Sequence, residues 1–337
     1  MIAQALLWGV LYALPLFVRS DFLLTIFIFT FIYGILAVTF DLIFGFTGQL
    51  SMFHPAVFGV SAYMTYLLAS QYKLPFWVAT VPSALTAVVL AVVVGSICFK
   101  FRLKTFYFAV VTLAFAEMIR LVVMNWNSLT NGTLGLVVSG KPTIYWPGSG
   151  VVAIRGPIAW YYLTLACLSV TVLICARCLR AWMGRCFGAI RLNEDLARTL
   201  GINVFRYKLL AFAISSFYAG VTGVLYTYYL GIANYEQFQI GVSIDYLAMI
   251  IIGGLGSVLG SVLGAIFVTL LPIGIRYAME AFGGLFFAPQ TVLNLIPNLR
   301  LMMFGALIIF FLIVEPEGLN RLWRNIRNYF RIWPFAY

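Results

Sequence analysis

Residues 183–208, MGRCFGAIRLNEDLARTLGINVFRYK, concentrate charge between long apolar runs, and their reading decides the rest. Asn193 suits the cap of a helix beginning at Glu194, and Glu194 and Asp195 suit its positive N-terminal end. Gly201 is well placed as the left-handed residue that closes it. A helix of about two turns is marginal in water on its own. It needs a surface: the bilayer, neighbouring helices or another subunit. An ordinary positively charged loop is the plainer alternative.

Working outward, the flanks are apolar almost throughout. The chain is 63% hydrophobic and 9% charged over 337 residues, whereas soluble domains carry about 25% charged residues. The runs 22–44, 76–99, 105–124, 158–176, 209–230, 246–271 and 301–314 mostly approach the roughly 20 residues that span a bilayer core. Runs 2–18 and 56–70 are shorter. The expectation is an all-α polytopic integral membrane protein with about eight to ten transmembrane helices. Alternating strands of the outer-membrane barrel type are absent from the pattern. Run 2–18 reads as a retained span, because no basic segment precedes it and Leu14-Pro15-Leu16-Phe17 is a poor cleavage site.

Fourteen of the 21 Lys and Arg fall in three clusters: 100–104, 177–208 and 321–331. Such bias places all three on the cytoplasmic side. Counting crossings between them puts loop 125–157 outside and both termini inside, with a basic cytoplasmic tail at 319–337. Between residues 231 and 300 the count requires zero or two full crossings. A re-entrant hairpin in 246–271 satisfies it, as does a full span there followed by another in 273–297.

Two segments interrupt the apolar pattern. Residues 41–55, DLIFGFTGQLSMFHP, carry two glycines, a proline and polar side chains. Unwound backbone at membrane depth survives only when buried in protein or lining a wet cavity; a turn between two spans is the other reading. The second interruption, 252–264, places Gly253, Gly254 and Gly256 close enough to unwind a helix. Gly256, Gly260 and Gly264 add a ridge suited to close helix packing. Interrupted segments near 45–55 and 253–257, one in each half, are a pointer to a transport pathway.

Other chemistry is sparse. Asp41 and Asp245 fall near the ends of apolar runs, and Glu117 and Arg120 are spaced to pair on one helix face. His54 is the only histidine, with no acidic residue close in sequence, which argues against proton coupling. The five cysteines read as packing residues, and Cys175-x-x-Cys178 lacks the second pair of a metal site. Residues 135–142, GLVVSGKP, nearly match a phosphate-binding loop, but proline stands where Ser or Thr would hold Mg²⁺. Neither a catalytic constellation nor a metal site is legible, so an intramembrane enzyme ranks last.

Residues 45–51, GFTGQLS, with His54, resemble the GYTGQLSLGH signature of branched-chain amino acid ABC-importer permeases. Residues 184–208 are similar to the cytoplasmic coupling region of that family, and Ile252-Gly-Gly-Leu-Gly-Ser257 and Glu315-Pro-Glu-Gly318 also fit. The likeness runs from about residue 22 to 319 and is nearest the second of the two permeases in leucine/isoleucine/valine systems; the urea ABC importer has a similar permease. Phe53 stands where the family usually has Gly, and Met52 where it often has Leu.

The resemblance implies a single permease domain, 1–337, in a bacterial inner membrane, with a coupling loop at 180–208. It implies a heterodimer with a related permease, two cytoplasmic ATPases and a periplasmic binding protein. ATP and Mg²⁺ would belong to the ATPases, with no cofactor in this chain. Arg185, Arg191, Asn193, Glu194, Asp195, Ala197, Arg198 and Gly201 would engage the ATPases. Thr47, Gly48, Gln49, Ser51 and His54, with Gly253, Gly254, Gly256 and Ser257, would line or shape the substrate pathway. Branched-chain amino acids are the expected cargo, urea or a short amide the alternative. A stand-alone secondary carrier is the competing mechanism.

Overall fold

Long apolar runs become helices because, away from water, each amide must find its partner within its own segment. The computed structural model describes residues 2–17, 20–137, 143–146, 150–154, 156–282, 289–315 and 317–332. Most of the phosphate-loop-like stretch, residues 138–142, lies outside the described residues, as do Pro316 and 333–337.

Helix α1 (Ile2–Phe17) precedes α2 (Asp21–Thr47), which ends at a break before α3 (His54–Tyr66). A π-helical turn, Leu67–Gln71, extends α3; α4 (Phe76–Lys100), α5 (Thr105–Asn125) and α6 (Asn127–Thr130) follow. The loop that follows holds β1 (Leu136–Val137) and an antiparallel hairpin of β2 (Thr143–Trp146) and β3 (Gly150–Ala153). Next come α7 (Pro157–Arg180), α8 (Trp182–Leu192), α9 (Glu194–Thr199) and α10 (Val204–Leu230). After β4 (Ile232–Ala233) the chain closes with α11 (Ile240–Gly253), α12 (Val258–Phe282), α13 (Pro289–Val314) and α14 (Gly318–Ile332).

Helices α2, α4, α5, α7, α10 and α12 are long and apolar enough to cross a membrane, and a seventh span results if α13 and α14, bent by 48°, count as one. The expected eight to ten is reached only by including shorter apolar helices such as α11 and residues 8–17 of α1.

At the centre, α10 packs against α2, α3 and α4. Its small residues make this close approach feasible: a Cβ on Gly220 would meet Ala84 Cα at 2.9 Å, and Ser61 Oγ donates to Gly220 O at 2.8 Å. Helix α7 covers the other side of α2, and α1 leans on α7, where Tyr161 Oη donates to Leu11 O at 2.7 Å. Glu117 and Arg120 form the expected pair on α5, at 2.5 Å.

The two ends of the bundle are distinct. Strand β4, after α10, pairs with β1 in register Leu136↔Ala233, so loop 125–157 and the end of α10 share one end. Helix α10 is about 40 Å long, which puts α9, at its start, at the other.

The apolar run 246–271 is not one span. It is folded in half: α11 and α12 are antiparallel legs meeting at a tip, residues 254–257, at the α9 end. Gly253, Gly260 and Gly264 lie so close that a Cβ on any of them would strike backbone of the facing leg. Gly260 and Gly264 of the small-residue ridge therefore lie in the seam of this hairpin, while Gly256 stands at its tip beside Gly45. Asp245, read from sequence as near a run end, is eight residues short of the tip, in the middle of its leg.

Candidate functional site

Helix α9 is built as its residues dictate. Asn193 Oδ1 accepts from Asp195 N at 2.9 Å and Leu196 N at 3.1 Å, capping the start. Gly201 adopts φ +80, with Gly201 N to Arg198 O and Ile202 N to Ala197 O both at 3.0 Å, which closes the end. Asn203 then caps α10 through Arg206 N at 3.1 Å. Ala197 faces inward with Ile190 and Val204.

Arg185 and Arg191 belong to α8, a separate helix that the sequence reading merged into the loop. Arg185 lies over the Trp182 ring, 5.0 Å from its centroid. Arg191, itself exposed, reaches across to α2 and donates to Gly45 O in its last turn. Its guanidinium also lies beside Gly256 at the hairpin tip. Gly256 N in turn donates to Asp41 Oδ1 at 2.8 Å. One arginine and one aspartate thus tie both breaks to α8.

Glu194 makes a second tie. It pairs with Lys208 on α10 and with Arg198 at 3.6 Å, and Gln49 Nε2 donates to it at 3.4 Å. The Asp195 carboxylate, by contrast, is exposed and pairs with Arg198 at 2.6 Å.

The first break is unwound and buried. Gly48 has φ +73 and ends α2, with Gly48 N bonded to Phe44 O at 3.0 Å. Thr105 Oγ1 donates to Gly48 O at 2.9 Å, placing Gly48 level with the start of α5. From there the chain turns back inward: Met52 N donates to Thr112 Oγ1 at 3.0 Å, two turns along α5. His54, at the start of α3, packs on Phe40 and bonds Ser215 Oγ at 2.5 Å in the middle of α10. Helix α3 therefore begins inside the bundle, not at its surface. Phe53 is fully buried against Phe212, an ordinary core contact. Asp41 Oδ2, Gln49 Oε1 and His54 Nδ1 are buried here with no hydrogen-bond partner.

Of the residues read as pathway, Thr47, Gly48, Gln49 and Gly256 gather next to Arg191 and Glu194. Ser51 and His54 lie deeper, and Gly253 and Gly254 face the seam and the α13–α14 elbow, where Gly318 abuts Gly254 and Ile252. Ser257 Oγ accepts from Gly260 N at 3.1 Å at the start of α12.

Sequence reasoning passed over the outer face. Leu192, the last residue of α8, Leu196 within α9 and Leu200 just past its end stand four residues apart in sequence and are 88%, 62% and 68% exposed. That spacing was present in the sequence. Three exposed leucines beside charged groups leave an apolar patch of the kind that marks interaction surfaces.

Broken, buried helices tied to a capped surface helix define a multi-pass membrane protein of the transport class. The chain belongs to the branched-chain amino acid transport system permease family, whose model matches residues 22–312, and such proteins are non-catalytic subunits of ABC importers working with ATPases and binding proteins. It is 28% identical over 308 residues to the high-affinity branched-chain amino acid permease LivM of Escherichia coli K12, covering 86% of this chain and 68% of that one. The probable LivM of Methanocaldococcus jannaschii is 28% identical over 244 residues, 69% of this chain and 66% of that one. The ribose import permease RbsC of Haemophilus influenzae is 26% identical over 217 residues, 59% of this chain and 60% of that one. No solved structure matches the chain.

Proposed function

We propose that this chain is one membrane subunit of an inner-membrane importer for branched-chain amino acids. It pairs with a related permease and is driven by two ATPases on the cytoplasmic side. The observation that carries this is the α8–α9 segment: Leu192, Leu196, Leu200 and Asp195 are exposed on it, while Arg191 of α8 is bonded to the end of α2 and Glu194 of α9 to Gln49 and Lys208. A push on the outer face reaches Gly45 and Gly256 through Arg191, and reaches Gln49 and Lys208 through Glu194. In this reading the α9 end, with both termini and the basic tail, is cytoplasmic, and loop 125–157 meets the binding protein. Thr47, Gly48, Gln49, Ser51 and His54, with Gly253, Gly254, Gly256 and Ser257, shape the pathway by moving backbone. The chain needs no cofactor, since ATP and Mg²⁺ sit on the ATPases.

The test is Leu196→Asp with Leu200→Asp in the assembled importer. Exposed positions change stability by only about 0.5 kcal/mol, so membrane levels hold while ATPase co-purification and uptake are lost. Retained co-purification refutes the docking face. Leucine, isoleucine and valine are the expected cargo; the likeness to a ribose permease makes a sugar the second reading, and urea is the third. Uptake by proteoliposomes carrying the cognate binding protein separates them, and transport without the ATPases would establish a secondary carrier instead.

A further inference from the structure

One ion pair lies far from the α9 end. Asp245 on α11 binds Arg300 on α13, across 55 residues of sequence. Asp245 is eight residues from the end of its leg, about 12 Å in, and Arg300 is fourteen from the end of α13, about 21 Å in. With the helix ends at the edge of a hydrocarbon core about 30 Å thick, both residues fall in its middle half. The Arg300 side chain keeps 40% of its surface open and Asp245 15%. Arg300 stacks over Phe304, 5.4 Å from the ring centroid. Tyr33 and Tyr246, with centroids 6.4 Å apart, stand beside Asp245, and Tyr226 adjoins Tyr33.

A buried ion pair is a poor stabilising device, because desolvation offsets most of the attraction. Ionisable side chains at membrane depth mark substrate routes. Here the charges are of opposite sign, adjacent and partly open, inside an aromatic wall. A guanidinium presents a planar fork that fits a carboxylate, and a carboxylate next to tyrosine faces suits an ammonium. Between them a branched aliphatic side chain would rest on rings.

We propose that Asp245 and Arg300 form a zwitterion site, exchanging their mutual bond for the ammonium and carboxylate of an amino acid in transit. This deepens the cargo reading above and rests on it. The exchange conserves charge: one internal pair is replaced by two pairs with the solute, so the solute need not be stripped of either charge. A solute with only one of the two groups leaves Asp245 or Arg300 unpaired.

The test uses the full importer in nanodiscs without binding protein, with thermal protection titrated by leucine, 4-methylpentanoate (no ammonium) and isopentylamine (no carboxylate). Wild type is expected to prefer leucine over both. Asp245→Asn should weaken leucine at least about tenfold and abolish its preference over 4-methylpentanoate. Arg300→Gln should do the same relative to isopentylamine. Arg300→Lys, which keeps the charge without the fork, should fall between and covers poor folding of the glutamine variant. Unchanged preferences in folded variants, whatever their melting temperatures, overturn the site while the importer stands. Protection of wild type by ribose or urea but not leucine overturns the cargo reading and the site together.

Discussion

The two breaks look alike in sequence, each a glycine cluster in an apolar run, yet they fold differently. The first, from Gly48 to Phe53, ends α2 at the α9 end and then carries unwound chain back inside, so that α3 starts at depth beside Ser215. The second, from Gly254 to Ser257, is a tight tip between two antiparallel legs whose glycines touch along their length. Polar side chains account for the contrast. The first break carries Gln49, Ser51 and His54, which can hold backbone away from helical geometry. The second, Gly254-Leu255-Gly256-Ser257, has one polar side chain of its own and relies on the close backbone approach of the glycines along its legs. The first is a bonded strand with unsatisfied atoms in it; the second is a packed seam.

If the second break is a seam, volume should destroy it. Gly264→Leu places a side chain where Met249 O already sits. Forcing the legs apart should cost more than about 3 kcal/mol and abolish a monodisperse peak in detergent size-exclusion chromatography. Survival of that variant would erase the contrast. If the first break depends on bonds, charge deletion should loosen it. Glu194→Ala leaves Lys208 buried without its carboxylate and should destabilise by about 2 kcal/mol, read as a lower melting temperature, with uptake falling further than stability. Asp41→Leu removes the acceptor for Gly256 N, the point where the two breaks meet. A loss of about 1–3 kcal/mol is expected, and Asp41→Asn, which keeps an acceptor, should recover part of it. The smallest effect belongs to Asn193→Ala. Losing that cap should cost about 1 kcal/mol, confined to faster amide exchange in α9; equal exchange changes at the α11–α12 tip would mean that the two regions are one unit.

Legibility followed the range of the interaction. The Asn193 cap and the Gly201 closure are local chemistry, and both were readable from neighbouring residues. The all-helical membrane class followed from run lengths. What stayed open or hidden was long-range or geometric. The run 246–271 is long enough for a span, so hydrophobicity left a hairpin and a span as equal alternatives, and only the fold shows that it turns back at Gly254. Helix α8 was hidden because its arginines looked like loop charge, whereas Arg191 is bonded to the end of α2. Asp245 and Arg300 share no local pattern, so only the fold brings them together. The leucines at 192, 196 and 200 were visible as a four-residue repeat, but helix spacing alone does not say whether such a row faces inward.

Arg191 has a kinematic consequence. Its guanidinium sits between Gly45 and Gly256, and Asp41 completes the loop from the other side. The last turn of α2 and the hairpin tip are therefore bonded to each other through Asp41, with Arg191 bonded to Gly45 and seated beside Gly256. That bond is expected to couple their motion at that end, so spin labels on the two helices should report one concerted displacement per turnover, never one helix advancing while the other waits.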